Sequence, residues 1–276
     1  MQAKPTLLDS AQFKERFELL DQLDAALAHA QEPGRGEGDL SVGRLRFLRS
    51  HLEETNAALC CAARTMIQQG IRPALVDALV AESHPASGLS FDYLDEFVAG
   101  ILALQEPDLL PAHPPQGMVF YQPTPARHIF DLLRQTNLSE KDVFIDLGSG
   151  LGHVPLLAAI CTSARCVGIE REEGYVRSAI GAASALHLDR VVFFEQDARQ
   201  ADLSSGTVFY LYTPFTGSIL AAVLHGIRQQ SAHSRLRICT FGPCTEVVAR
   251  ESWLEAVTAP DSGHITVFSS RTCASV

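Results

Sequence analysis

The stretch from Val143 to His153 reads VFIDLGSGLGH and decides the fold. A short apolar run passes through an acid into glycines at positions 148, 150 and 152, and a helix-compatible sequence follows. This order predicts a strand, a tight loop whose backbone can approach a ligand, and a helix whose free N–H groups face that ligand. A dinucleotide fingerprint would place its third glycine three residues after the second. His153 occupies that place, so the spacing disfavours a dinucleotide.

Length and composition predict a soluble chain with its own core. The 276 residues are 46% hydrophobic, and the formal net charge of -10 disfavours a general nucleic-acid or acidic-membrane surface. The seven cysteines are an odd number without a Cys-x-x-Cys pair, so we expect reduced thiols, a cytoplasmic protein and no bound metal. No apolar run approaches the ~18 residues that span a bilayer. Small molecules or proteins are therefore the expected substrates.

Two kinds of pattern divide the chain. Apolar residues at helical spacing predict helices over residues 7–30, from about Val42 to Ile67, and in shorter pieces to about Leu104. The segment from Glu106 to Gly117 contains four prolines, which favour an extended connector. We therefore predict an all-helical N-terminal domain over residues 1–116 and a second domain over residues 117–276.

The second domain alternates strands and helices. Strands are predicted near residues 143–147, 165–170, 190–195, 207–212 and 235–241, with helices near 126–136, 152–162, 173–186 and 216–230. This alternation predicts a parallel sheet. Trp253–Thr258 and His264–Ser269 are strand-like and joined by a turn-rich segment. They predict a terminal hairpin that adds one antiparallel strand.

The glycine loop and the terminal hairpin resemble those of class I S-adenosylmethionine-dependent methyltransferases. The resemblance covers about residues 118–276 and implies a Rossmann-like α/β fold with a seven-stranded, mostly parallel sheet, and S-adenosylmethionine as the cofactor. The phrase DLGSGLGHV also resembles the first motif of non-SET histone-lysine methyltransferases. That second likeness is one motif long, and no histone substrate is predicted from it.

The resemblance implies a set of cofactor-binding residues. Asp146 would act on the cofactor's ammonium group, Glu170 would accept both ribose hydroxyls, and Asp197 would contact the adenine amino group. A segment before the first helix of this domain would close over the cofactor. The predicted cofactor-binding residues are Asp146, Gly148, Ser149, Gly150, Gly152, Glu170, Asp197, Tyr121 and Thr124.

The loop after the fourth strand is where such enzymes present the acceptor. Its residues Tyr212, Thr213, Pro214 and Phe215 partly resemble the Asn/Asp-Pro-Pro-aromatic motif of amino-methylating enzymes. Thr213 replaces the acid or amide and the second proline is missing, so the acceptor stays open. A simple turn with Phe215 packed on the next helix is about as compatible with the sequence.

Methyl transfer from a sulfonium needs few dedicated catalytic groups, because positioning the acceptor and excluding water supply most of the acceleration. The sequence therefore predicts a methyltransferase that acts on a small molecule or a protein side chain, with the helical domain covering the carboxyl edge of the sheet. The loop from Gly242 to Thr245 is expected at the same edge, and no catalytic thiol is expected at Cys244. Two alternatives stay open: a protein that binds the cofactor without transfer and, less favoured, an NAD(P)-dependent oxidoreductase.

Overall fold

The computed structural model describes residues 12–30, 39–82, 90–107, 121–232 and 234–271, and it consists of helices followed by an alternating α/β region. The helices are α1 (Phe13–Ala30), α2 (Asp39–Gln68), α3 (Ala74–Glu82), α4 (Tyr93–Leu102), α5 (Ala126–Thr136), α6 (His153–Cys161), α7 (Glu173–Ala185), α8 (Gly217–Ser231) and α9 (Cys244–Val248). The strands are β1 (Val143–Leu147), β2 (Arg165–Glu170), β3 (Val191–Glu195), β4 (Val208–Tyr212), β5 (Arg237–Phe241), β6 (Leu254–Ala256) and β7 (Thr266–Ser270).

Parts of the sequence prediction lie outside the described residues. They are residues 7–11 of the first predicted helix, residues 108–117 of the proline-rich connector with the predicted domain boundary, and Cys273. Within the described ranges, no helix is long and apolar enough to cross a membrane.

The seven strands form one sheet in the order β3-β2-β1-β4-β5-β7-β6. Strands β1 to β5 are parallel, whereas β7 runs antiparallel to both β5 and β6. This arrangement confirms the predicted Rossmann-like sheet with one antiparallel strand from a terminal hairpin. One local prediction is wrong: the expected loop 242–245 ends early, because Cys244 begins the short helix α9 directly after Pro243.

Each face of the sheet is buried by a different set of helices, because successive side chains of a strand point to opposite faces. Phe144 and Tyr210 pack with α5, α6 and α7 in one core. Ile145 and Phe209 pack with α8 and α9 in the other. Strands β1, β4 and β5 are buried on both faces, whereas β3 exposes Val192 and Phe194 on one of them. The carboxyl ends of the parallel strands are left for the loops.

The N-terminal helices share the first of these cores. Ile67 of α2 and Phe97 of α4 belong to the same buried cluster as α5 to α7. The side chain of Gln68 donates to the carbonyl of Ala185 at 2.7 Å. Ala185 ends α7, at the amino edge of the sheet. These helices therefore pack outside the α5 to α7 layer. The expectation that the helical region covers the carboxyl edge is wrong for α2 and α4.

A capping box joins the helical region to the start of α5. Asp92 is the N-cap of α4, and Asp95 Oδ2 accepts its backbone N–H at 2.7 Å. Asp95 Oδ1 accepts the backbone N–H of Ala126, also at 2.7 Å. Because Ala126 is the first residue of α5, this one carboxylate satisfies free N–H groups of two helices.

Substitution Asp95→Ala should lower the free energy of unfolding by about 1–3 kcal/mol, because two partly buried N–H groups lose their acceptor. Urea unfolding followed by circular dichroism measures the change. The exposed neighbour Glu96 provides the matched control, and Glu96→Ala should change stability by less than about 0.5 kcal/mol. Equal losses for the two variants would contradict this role of Asp95.

Candidate active site

A cavity of about 580 Å³ lies at the carboxyl ends of the parallel strands. The sheet order places β2 and β3 on one side of β1, and β4 and β5 on the other. Open α/β sheets bind ligands at such a switch point. The predicted residues that line the cavity are Tyr121, Thr124, Asp146, Gly148, Ser149, Glu170, Asp197, Tyr212, Thr213, Pro214 and Phe215. Gly150 and Gly152 belong to the same loop but are not among the lining residues.

The glycine loop folds back on the end of β2. The backbone N–H of Gly148 donates to the carbonyl of Ile169 at 2.8 Å. Gly148 has a φ of +83°, and a Cβ atom there would lie 2.2 Å from Cβ of Pro214. Gly150 has a φ of +52°, and a Cβ atom there would lie 2.0 Å from the Tyr121 ring. Both positions therefore require glycine, for conformation and for space.

Ser149 presents an unused polar group in this loop. Its side chain is 7% exposed and lines the cavity. Its hydroxyl has no hydrogen-bond partner among the described residues. Buried polar groups in folded proteins almost always have a partner. A polar ligand in the cavity would supply one, so the loop fits a ligand with hydrogen-bonding groups.

Glu170 does more than the sequence predicts. Its Oε2 accepts the backbone N–H of Gly150 at 2.8 Å. Its Oε1 accepts the N–H groups of Arg171 and Glu172 at 2.6 and 3.0 Å. The carboxylate at the end of β2 thus holds the glycine loop in place. A carboxylate has about four lone-pair sites, so one remains on Oε2 for a ligand hydroxyl.

Asp146 is a buried acid without a partner. Its side chain is 3% exposed and forms no hydrogen bond with a described residue. Burial, and then the nearby charge of Glu170, raise the pKa of this carboxyl well above its usual range. A cationic ligand in the cavity would offset that cost, as expected for a group that faces an ammonium or sulfonium.

Asp197 lies where the chain leaves β3. Its carboxylate pairs with Arg199, whose Nη2 lies 2.5 Å from Oδ2. The side-chain hydrogen bond from Arg199 lowers the pKa of Asp197 to about 2. The carboxylate is therefore ionised at neutral pH and can accept from an amino group, although it shares its oxygens with Arg199.

The segment before α5 is anchored to the cavity at two points. The hydroxyl of Tyr121 lies 3.1 Å from Nδ1 of His153, and its ring lies 4.9 Å from that of Tyr175. Thr124 hydrogen-bonds Tyr210 at 3.0 Å between their hydroxyl oxygens. Burial lowers the pKa of His153 to about 4, so its imidazole is neutral at physiological pH. Tyr121 therefore covers the glycine loop beside a neutral imidazole.

Thr213 begins the predicted acceptor loop in a strained conformation. Its φ is +37°, which is unfavourable for a β-branched residue. Its hydroxyl donates to the carbonyl of Phe241 at 3.2 Å and accepts the N–H of Cys244 at 3.0 Å. The side chain thus ties the end of β4 to the end of β5. It has no hydrogen left to donate to an acceptor molecule.

The other acceptor-loop residues form an apolar wall. Pro214 packs on Gly148, and the ring of Tyr212 lies 4.8 Å from that of Phe241. Phe215 is 3% exposed and belongs to the core that contains α8. Its packing agrees with the simple-turn interpretation, while its edge still lines the cavity.

Sequence reasoning missed the residues Tyr175, Tyr210 and Phe241, which also line the cavity. Tyr210 pairs with Asp146 in the register of β4 against β1. A tyrosine in an apolar strand carries no local signal of this neighbour. The sequence predicted Phe241 only as the last residue of a strand, without a role in the cavity.

Among the described residues, the side chains form no group of three or more metal-binding residues. The thiol of Cys244 is buried, which raises its pKa, and it donates to the carbonyls of Leu211 and Phe241 at 3.5 Å. A thiol in this state is a weak nucleophile.

Substitution Asp146→Asn should stabilise the ligand-free protein at neutral pH, with a melting temperature a few degrees higher. Because the folded pKa of Asp146 is raised, folding suppresses ionisation of this carboxyl. That cost is absent below the ordinary aspartate pKa of about 4 and grows as pH rises toward the folded pKa.

Thermal unfolding of Asp146→Asn from acidic to neutral pH tests this sign. The gain should vanish at the acidic end, where the carboxyl is protonated in both states. Exposed Asp21 provides the control, and Asp21→Asn should leave the melting temperature unchanged throughout. A loss of stability at neutral pH would contradict the raised pKa.

Residues 106–208 match the family model described as Histone methylation protein DOT1. The match includes the glycine loop and β1 to β3, so it extends beyond the single motif recognised in the sequence. It ends before the acceptor loop. A search of curated proteins returns no match.

Several solved methyltransferases are similar. An RNA methyltransferase from Salinibacter ruber, crystallised with S-adenosyl-L-homocysteine, has 28% identity, 56% coverage of this chain, 96% of its own and a TM-score of 0.44. A precorrin-6y C5,15-methyltransferase from Geobacter metallireducens has 14% identity and a TM-score of 0.43, and the match covers 56% of this chain and 94% of that protein. A SAM-dependent methyltransferase from Aquifex aeolicus has 14% identity and a TM-score of 0.42, and the match covers 51% of this chain and 88% of that protein. With its cofactor loop and family match, the chain is a class I S-adenosylmethionine-dependent methyltransferase.

Proposed function

We propose that S-adenosylmethionine lies along the carboxyl edge with its adenine at Asp197, its ribose at Glu170 and its amino-acid end at the glycine loop. Strands β3, β2 and β1 are neighbours in the sheet, and Asp197, Glu170 and the glycine loop lie at their carboxyl ends in that order. This order supports the proposed direction of the cofactor. The unpartnered hydroxyl of Ser149 and the buried acid Asp146 support a polar, cationic group at the β1 end. Tyr121 and Thr124 would then hold the segment that covers the cofactor.

The acceptor end of the cavity is neutral and includes three aromatic side chains. Its described lining residues are Tyr212, Thr213, Pro214, Phe215, Ile219, Phe241, Gly242, Pro243, Ser262 and Gly263, none of which carries an ionised side chain at neutral pH. A charged ammonium would lack a counterion there and would meet the sulfonium's positive charge. The neutral lining therefore favours an acceptor that enters uncharged.

We infer that the acceptor is the uncharged side-chain amine of a lysine in a basic protein. The family model, which is described by histone methylation, supports a protein acceptor. The net charge of -10 supports a basic partner, because opposite net charges accelerate encounter. An extended aliphatic side chain would also pack against the rings of Tyr212, Phe215 and Phe241. The neutral acceptor end carries this proposal.

The chain's residues act by positioning. Bound S-adenosylmethionine supplies a methyl group on a positively charged sulfur. Asp146 would balance that charge from the β1 end, while Tyr121 and Pro214 exclude water on either side of the glycine loop. The loop tied by Thr213 would orient the amine through backbone carbonyls, because the threonine hydroxyl is already used. The lysine ammonium would lose one proton to solvent before it enters, and the methylated ammonium product would leave with the positive charge that the sulfur gives up.

The predicted organisation into residues 1–116 and 117–276 and the cytoplasmic location are also proposals. The change from helices alone to alternating strands supports the first. The six described cysteines are all free, which supports a reducing compartment.

Substitution Glu170→Ala should weaken S-adenosylmethionine binding by about 1–3 kcal/mol, because a charge-assisted contact is lost and Gly150 loses its acceptor. Titration calorimetry measures the affinity. Exposed Glu173 provides a control whose substitution Glu173→Ala should leave the affinity unchanged. Unaltered binding by Glu170→Ala would show that the ribose is held elsewhere.

Methyl transfer is tested with cofactor labelled in the methyl group, purified basic proteins and fractionated cell extract. We expect label in protein, and mass spectrometry of the digests should find methylated lysine. Glu170→Ala should reduce the label strongly, while Glu173→Ala should retain it. Label found only in RNA or small molecules would refute the lysine proposal and keep the transferase. No label in any acceptor, despite cofactor binding, would favour the alternative of a binding protein.

A further inference from the structure

Most backbone N–H groups of the glycine loop are already used inside the protein. The donors that are used in this way are Gly148, Ser149, Gly150 and Gly152. Their acceptors are the carbonyls of Ile169 and Ser149 and the carboxylate of Glu170, at 2.8 to 3.0 Å. The loop therefore has few backbone donors left for an anionic group of a ligand.

The amino-acid end of the cofactor carries a carboxylate as well as an ammonium group. The cationic side chains among the described lining residues of the cavity are Arg171 and Arg199. They follow β2 and β3, the strands that the proposed direction assigns to the ribose and the adenine. At the β1 end the carboxylate therefore needs neutral hydrogen-bond donors.

Helix α6 and Ser149 provide such donors. The N–H groups of His153 and Val154 have no partner inside the helix, because they belong to its first turn. N–H groups at the start of a helix favour a negative charge. The buried hydroxyl of Ser149 lines the same cavity and has no partner among the described residues. Together these groups outline a subsite for an anion.

The imidazole of His153 lines the cavity beside these donors. Its Nδ1 lies 3.1 Å from the hydroxyl of Tyr121. Its Nε2 forms no hydrogen bond with a described residue, so this nitrogen is available to a ligand. Because burial keeps the imidazole neutral, one of the two nitrogens is a donor and the other is an acceptor.

Tyr121 decides which nitrogen of His153 carries the proton. Burial raises the pKa of Tyr121, so its hydroxyl keeps a proton at neutral pH. The backbone N–H of Leu151 approaches the same hydroxyl oxygen as a donor. The hydroxyl proton therefore has Nδ1 of His153 as its acceptor, which leaves the imidazole proton on Nε2.

We propose that His153 binds the carboxylate of S-adenosylmethionine through Nε2–H, in the tautomer that Tyr121 sets. The proposal rests on the direction of the cofactor given above, and it is independent of the acceptor. The ammonium group would face Asp146, while the carboxylate would face the donors at the start of α6. His153 is thus a cofactor-binding residue, and Tyr121 is a positioning residue that acts through it.

Titration calorimetry with S-adenosylmethionine and its decarboxylated analogue, which keeps the sulfonium and the amine, tests the contact. His153→Phe should weaken binding of S-adenosylmethionine at least about tenfold and binding of the analogue less than about twofold. His153→Gln keeps an N–H donor and should retain most of the affinity. Exposed His225 on α8 provides the control, and His225→Phe should leave both affinities unchanged.

Equal losses for the two ligands in His153→Phe would overturn the proposal, because a disturbed loop does not distinguish them. Unchanged affinity for S-adenosylmethionine would overturn it as well. Glu170→Ala separates this failure from a wrong direction of the cofactor. If Glu170→Ala weakens both ligands and His153→Phe weakens neither, the direction stands and the histidine contact is wrong. If Glu170→Ala weakens neither ligand, the direction is wrong and the histidine contact with it.

Nitrogen NMR of the wild-type protein with labelled histidine tests the tautomer and does not depend on a variant that binds. The signals of His153, identified by their loss in His153→Gln, should show a proton on Nε2. Addition of S-adenosylmethionine should shift that proton, and addition of the decarboxylated analogue should not. Tyr121→Phe should introduce the form with the proton on Nδ1. A proton on Nδ1 in the wild-type protein would overturn the proposal.

Discussion

The carboxylate of Glu170 is the contact on which the site depends. It accepts three backbone N–H groups and thereby joins the end of β2 to the glycine loop and to the turn before α7. Charge-assisted bonds of this kind offset the cost of burying a carboxylate. Leu151 is the one large side chain in the loop, and it is buried. The loop takes its shape from this acid and from the carbonyl of Ile169.

Close packing around the glycines also positions two other segments beside the cavity. Pro214 and Tyr121 approach the loop where side chains are missing, so the acceptor loop and the covering segment both rest on it. Asp95 anchors the base of that segment from α4. The helical region thus influences the cavity through α5, although its helices α2 and α4 do not line the cavity.

Local sequence was sufficient for much of the fold. The run VFIDLGSGLGH predicts β1, its loop and α6 because strand, turn and helix each depend on neighbouring residues. The terminal hairpin was predictable for the same reason. Asp146, Glu170 and Asp197 were predictable as a set because each lies near the carboxyl end of an apolar strand or just beyond it.

Contacts between distant residues explain what the sequence could not predict. Glu170 bonds to a residue twenty positions earlier, and Thr213 bonds to the end of β5. Such partners depend on strand register, which no local pattern encodes. The prediction that α2 and α4 cover the carboxyl edge failed because an amphipathic helix can pack on several faces equally well.

Thr213 and the hairpin turn differ in how much change they tolerate. The strained threonine is bonded to two strand ends, so its replacement would disturb β4 and β5 together. Ser262 and Gly263 line the cavity from a surface turn that bonds to the sheet through the N–H of Gly242 and through the hydroxyl of Thr266. If the acceptor enters as proposed, exchanging the β6–β7 turn would change the substrate range with little effect on cofactor binding.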